Sequence, residues 1–155
     1  MSPNQQAFLD CIAKCEGTDG PDGYRALFGY TPANGKVFSN GFATHPRIKT
    51  PFRDLDGNTN FSTAAGRYQI IYPTFVRLQA KLKTTDFTPE TQDLMALELI
   101  DEDGAMPELQ SGFLEDALDK CAGTWASLPA SHYPQPKRTY AYAEEAFIAA
   151  GGTVA

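Results

Sequence analysis

Residues 8–20, Phe8-Leu9-Asp10-Cys11-Ile12-Ala13-Lys14-Cys15-Glu16-Gly17-Thr18-Asp19-Gly20, contain a helix and its end. Phe8, Leu9, Ile12, Ala13 and Cys15 recur at helical spacing, and Gly17 with the TDGPDG run after it supplies a stop. The first helix therefore runs from about Asn4 to Glu16 or the residue before it. A glutamate is out of place there, because the helix macrodipole is negative at its carboxyl end. Something other than helix stability must account for Glu16.

Working outward, YRALFGYTPANGKVFSNGF sets aromatic and β-branched residues on both sides of Pro32-Ala33-Asn34-Gly35, which reads as a short hairpin. Residues 43–63 are rich in Pro, Asn, Asp and Thr, and such a long connection reads as an exposed, mobile functional lip. Helical periodicity returns with Pro73 near the start of one helix. Thr88 then caps another that opens with Pro89 and turns Leu94, Leu97 and Ile100 inward, and Gly104 ends it. Two more helices are expected, Gly112–Cys121 with Phe113, Leu114, Ala117 and Leu118 inward, and Lys137–Ala150 with Tyr140, Ala143, Phe147 and Ala150 in register. Residues 129–137 form a second irregular stretch and a second lip. The expected class is α+β, mainly helical, with a small antiparallel sheet.

A chain of 155 residues fits one domain, 1–155, with a core that needs no staples. Its 42% hydrophobic and 21% charged residues are ordinary for a folded protein. A net charge of −6 provides no positive field for nucleic acid or an anionic membrane. Cys11, Cys15 and Cys121 suit neither paired disulfides nor metal-ligand spacing and are read as buried reduced thiols. No stretch reads as a signal peptide or membrane span, so the expectation is a protein stored in a reducing cytoplasm.

Poor hydration and the helix dipole both raise a carboxyl pKa, which would leave Glu16 able to donate a proton at neutral pH. Protonation of a glycosidic oxygen by such an acid is the first step of glycan cleavage. A structural glutamate bonded to loop amides has the same local signature.

CEGTDG (15–20), HPR (45–47), STAAGRYQII (62–71), WASLP (125–129) and AGGTV (150–154) occur in the order and at about the spacings of the bacteriophage lambda endolysin (lambda lysozyme) family, which the chain resembles along nearly its whole length. The resemblance implies a lysozyme-like fold, two lip loops around a substrate cleft, and cleavage of the N-acetylmuramic acid to N-acetylglucosamine bond of peptidoglycan. It implies a lytic transglycosylase that needs no cofactor or metal and acts as a monomer on glycan strands, without entering the membrane. Release to the wall would depend on a separate membrane-permeabilising protein.

By the same resemblance Glu16 is the catalytic residue, and Ser62, Arg67, Tyr68, Gln69 and Tyr133 contact substrate. The loop around Tyr133, HYPQPKR, departs from the family pattern. Hydrolytic muramidases of the T4 type place an aspartate nine residues after the glutamate and a threonine six further on; here those positions are Arg25 and Thr31, so hydrolysis is demoted, with Asp19 or Asp22 as the remaining second carboxylate. A non-catalytic glycan-binding module is the rival from another class. Trp125 is expected to anchor core, His45 to be structural, and Asp54–Asn60 to form an Asx-rich turn in place of a calcium loop.

Overall fold

The computed structural model describes residues 1–133 and 136–155. Its chain divides into two compact units, the first formed by Met1–Glu16 with Ala96–Ala155 and the second by Gly17–Met95. Among the described residues there are six α-helices and one two-stranded antiparallel sheet, the expected α+β class.

In the first unit, α1 (Pro3–Glu16) begins with a reciprocal cap: the Gln5 amide donates to Ser2 Oγ (3.2 Å) and the Ser2 amide to Gln5 Oε1 (2.8 Å). Phe8, Leu9 and Ile12 on its inner face are fully buried. Each such side chain contributes about 1.5–3 kcal/mol, against about 0.3–1 kcal/mol for an unfavourable charge at a helix end. Burial thus sets the helix, and Glu16 is tolerated. The buried face packs against α6 (Tyr140–Ala149), whose Ala143 and Phe147 are fully buried. Thr139 caps α6 through a 3.1 Å bond from the Tyr142 amide, so the helix starts later than expected and Arg138 precedes it. Between them come α4 (Met106–Ser111), which the sequence reading missed, and α5 (Leu114–Cys121).

Two inward assignments are corrected. Phe113 is 54% exposed, because the chain reverses at Gly112 (φ +78°) and the helix starts only at Leu114. Leu94, in α3 (Pro89–Glu102), is 51% exposed: the Thr88 cap, accepting from the Thr91 amide at 3.3 Å, sets a register in which Thr91, Gln92, Met95, Ala96, Leu99 and Ile100 face inward. The first half of α3 belongs to the second unit and the rest to the first. All three cysteines are buried and unpaired, as expected.

The sheet of the second unit lies where a loop was expected. Strands β1 (Thr50–Arg53) and β2 (Thr59–Ser62) pair with Thr50 opposite Ser62 and Arg53 opposite Thr59. Both strands are largely exposed and lack an apolar alternation that a sequence pattern could register. Their turn is the expected Asx arrangement: Asp54 Oδ1 accepts from the Asp56 and Asn58 amides (3.0 and 2.9 Å), and Oδ2 accepts from Asn60 Nδ2 (2.6 Å). The hairpin expected around Pro32–Gly35 is reduced to an isolated bridge, Ala26 with Val37, held by Leu27 N–H to Lys36 O and Phe38 N–H to Arg25 O, both 2.9 Å. The other proposed lip, 129–137, includes residues 134 and 135, which lie outside the described residues.

Pro73 opens α2 (Tyr72–Leu82) as expected. Its Phe75 joins Phe38, Phe42, Phe87 and His45 in an aromatic core, with Phe75 edge-on to Phe87 at 5.5 Å.

Candidate active site

Glu16 is the last residue of α1, and Gly17, at φ +79°, breaks the helix immediately after it. The carboxylate is half-buried, and Oε1 accepts a 2.8 Å hydrogen bond from Ser127 Oγ. Loss of hydration raises its pKa above the usual glutamate range, while the Ser127 hydroxyl and the Arg138 charge pull the other way. Desolvation prevails, so the carboxyl keeps its proton to a higher pH than an ordinary glutamate does.

The helix end that carries Glu16 is tied by side chains from far along the chain. Arg138 Nε donates to the Cys15 carbonyl (3.3 Å), and the Tyr142 hydroxyl donates to the Lys14 carbonyl (3.4 Å). The Arg138 guanidinium lies 4.7 Å from the Tyr142 ring centroid, and its backbone amide donates to the Ser127 carbonyl (2.8 Å). A cation on the last carbonyls offsets the negative end of the helix dipole that troubled the placement of Glu16. The sequence reading named neither Ser127 nor Arg138. Ser127 stands within the WASLP motif, and Arg138 at the end of the HYPQPKR segment.

Also in the first unit, Tyr133 donates its hydroxyl to the Gly123 carbonyl (2.9 Å) and leaves its ring 47% exposed, a face on which a sugar can stack. Trp125 is 3% exposed and anchors core as expected.

The remaining candidates lie in the second unit. Ser62 Oγ accepts from the Ala64 amide (3.1 Å). Arg67 is half-buried, donates from Nη1 to Tyr68 Oη (2.9 Å) and has its guanidinium 5.3 Å from the Tyr24 ring centroid. Gln69, at φ +51°, donates through Nε2 to the Gly66 carbonyl (2.9 Å). Tyr68 is corrected: at 1% exposure, with its hydroxyl donating to Asp93 Oδ1 (2.6 Å), it is a core residue and presents no stacking face. Burial pushes its phenol pKa far up, so it stays a neutral donor to Asp93. Arg25, at the position where a T4-type enzyme has its aspartate, pairs with Asp22 (2.9 Å) in an exposed ion pair.

His45 has the structural role expected of it. Its Nε2 faces the Ile70 carbonyl (2.7 Å), which can only accept, and its Nδ1 faces the Arg47 amide (3.0 Å), which can only donate. One neutral tautomer satisfies both, and burial lowers the pKa accordingly. Because the folded pKa lies below the unfolded value of about 6.5, the contribution to stability is complete above that pH. It is lost as pH falls from there towards the folded pKa. Urea unfolding of the wild type should therefore lose stability below about pH 6.5, and His45→Gln should flatten that slope at the cost of lower stability at neutral pH.

Three comparisons bear on this arrangement. The endolysin family model matches residues 6–154. The endolysin of Escherichia phage lambda is 35% identical over 155 residues, covering 99% of this chain and 95% of that protein, and the endolysin of Escherichia phage P2 is 32% identical over 158 residues, covering 98% and 95%. Among solved structures, bacteriophage lambda lysozyme complexed with a chitohexasaccharide aligns with a TM-score of 0.86 at 34% identity, covering 100% of this chain and 98% of that one. A second structure of the lysozyme from bacteriophage lambda gives 0.82 at the same identity and coverage.

Proposed function

The chain belongs to the endolysin family, and from that premise we propose that it cleaves the β-1,4 bond between N-acetylmuramic acid and N-acetylglucosamine in peptidoglycan as a lytic transglycosylase. Glu16 first gives its proton to the bridging oxygen as the bond from that oxygen to the muramic C1 breaks. The resulting carboxylate then takes the proton of the muramic six-hydroxyl as that oxygen bonds to C1. The product is a 1,6-anhydro sugar, and no water enters.

The observation that carries this reading is the desolvated carboxyl of Glu16, held by the hydroxyl of Ser127. A group that must act first as acid and then as base needs a pKa between those of an ordinary carboxylic acid and a strong base. Burial pushes Glu16 in that direction, and Ser127 with Arg138 limits the rise. The chitohexasaccharide bound to the lambda lysozyme is consistent with a glucosamine-polymer substrate here. Ser62, Arg67, Gln69 and Tyr133 are retained as proposed sugar contacts on the family resemblance. The enzyme would act as a monomer, stored in the host cytoplasm until a separate protein permeabilises the membrane, and then on the wall.

Mass spectrometry of the muropeptides released from purified sacculi tests the chemistry. Anhydro ends, lighter by one water than reducing ends, are the expected product. Reducing ends alone would assign the enzyme to hydrolysis, and retention of the protein on intact sacculi without release would make it a glycan binder.

A further inference from the structure

We propose that Arg138 is the positioning residue of the active site, locking the carboxyl end of α1 to the Ser127 turn so that the Glu16 carboxyl stays on the Ser127 hydroxyl. The inference rests on the assignment of Glu16 as the acid. Arg138 joins the two segments that meet at the carboxyl group. Its side chain bonds the carbonyl of Cys15, the residue before Glu16, at 3.3 Å, and its backbone amide bonds the carbonyl of Ser127, the residue that holds Glu16, at 2.8 Å. The Tyr142 ring, 4.7 Å from the guanidinium, fixes the side chain between them, and the hydroxyl of that same tyrosine bonds the Lys14 carbonyl one residue earlier in α1. A planar guanidinium can make a directed hydrogen bond and a ring stack at once, which an ammonium cannot.

The arrangement has an electrostatic consequence besides the mechanical one. Among the described residues, the Ser127 hydroxyl and the Arg138 guanidinium act on the titration of Glu16, and Glu16 interacts electrostatically with the Cys15 thiol; α6 adds the Tyr142 hydroxyl at the Lys14 carbonyl. Among these only Arg138 brings a positive charge. It opposes the effect of burial, so that Glu16 remains acidic enough to release its proton in the first step. The residue stands at the end of HYPQPKR, the segment that departs from the family pattern.

The test compares wild type with Arg138→Ala, Arg138→Lys and Glu16→Gln, measuring initial rates on purified sacculi across pH together with thermal midpoints. Arg138→Ala should lower the maximal rate about ten- to hundredfold, as misplacement of an acid does. It should also move the alkaline limb of the profile upward by about half a pH unit, since a screened positive charge no longer favours ionisation. Arg138→Lys keeps the charge and should return the limb to its wild-type position while recovering only part of the rate. If Arg138→Ala fails to fold, Arg138→Gln gives the same readings. An uncharged variant with wild-type rate, or one with a lower rate and an unmoved limb, would overturn the inference and leave Arg138 a structural cap. Activity in Glu16→Gln would overturn the parent assignment instead, so the two failures are separable.

Discussion

Replacing Glu16 with glutamine is expected to abolish lysis of exposed cell walls while the protein folds normally. Glutamine matches glutamate in shape and keeps an oxygen to accept from Ser127 Oγ, so the packing at the end of α1 is undisturbed. The lost group is the proton donor, and positioned acid–base catalysis contributes about 10² to 10⁴ in rate. Activity should fall by at least that much, and to background if the same carboxyl serves both halves of the reaction. Stability should move the other way. The folded-state pKa of Glu16 is raised, so its contribution to stability is present at low pH and is lost as pH rises through the folded value. At neutral pH the variant should melt at or above the wild-type temperature, with the difference vanishing in acid. Near wild-type lysis by Glu16→Gln would remove Glu16 from the mechanism. A large drop in its melting temperature would instead show a structural glutamate.

Gly66→Ala should produce a large loss of stability beside the proposed sugar contact Arg67. Gly66 sits at φ +81°, where a side chain costs about 1 kcal/mol, and an added Cβ would come within 2.3 Å of Gln92 Oε1 and 3.0 Å of the Phe87 ring. The Gln92 side chain cannot simply move away. It is fully buried, its Oε1 accepts from the Arg67 amide (2.9 Å), and its Nε2 donates to the Tyr24 and Phe87 carbonyls (3.0 and 2.9 Å). Displacing it leaves buried polar groups unpaired at about 1–3 kcal/mol each. A total of about 3–5 kcal/mol corresponds to a fall in melting temperature of about 6–20 °C at this chain length. Gly57→Ala is the control: its φ is +79°, but nothing lies within 4 Å of the added carbon, so it should lose only about 1 kcal/mol. Equal losses in the two variants would show that backbone conformation alone, and not the Gln92 network, sets the requirement for glycine.

Much of the architecture could be read in advance because it is written in short-range rules. The apolar spacing of Phe8, Leu9 and Ile12 and the break at Gly17 located α1 and its end, and Thr88 with Pro89 located the start of α3. The misreadings arose where local pattern was weak or gave the wrong face. Strand β2 is almost wholly exposed and β1 only half-buried on one face, and neither carries an apolar alternation in its sequence, so a polar stretch looked like loop. Leu94 is apolar and helical, yet the cap at Thr88 rotates it to the surface. Tyr68 has the composition of a sugar platform, but the Asp93 carboxylate that draws its hydroxyl inward lies 25 residues away.

The sequence by itself determined that Glu16 closes a helix at a glycine, that the chain resembles endolysins, and that no paired aspartate stands where a T4-type hydrolase has one. Only the tertiary structure decided what surrounds that carboxyl. Ser127 and Arg138 reach the end of α1 across separations of 111 and 123 residues, and they do so because burial of α1 against α6 brings the turn before α6 back to the helix end. Helix spacing and caps act over a few residues and can be read in one dimension. The hydration and charge around an ionisable group depend on whichever distant segments the core draws together.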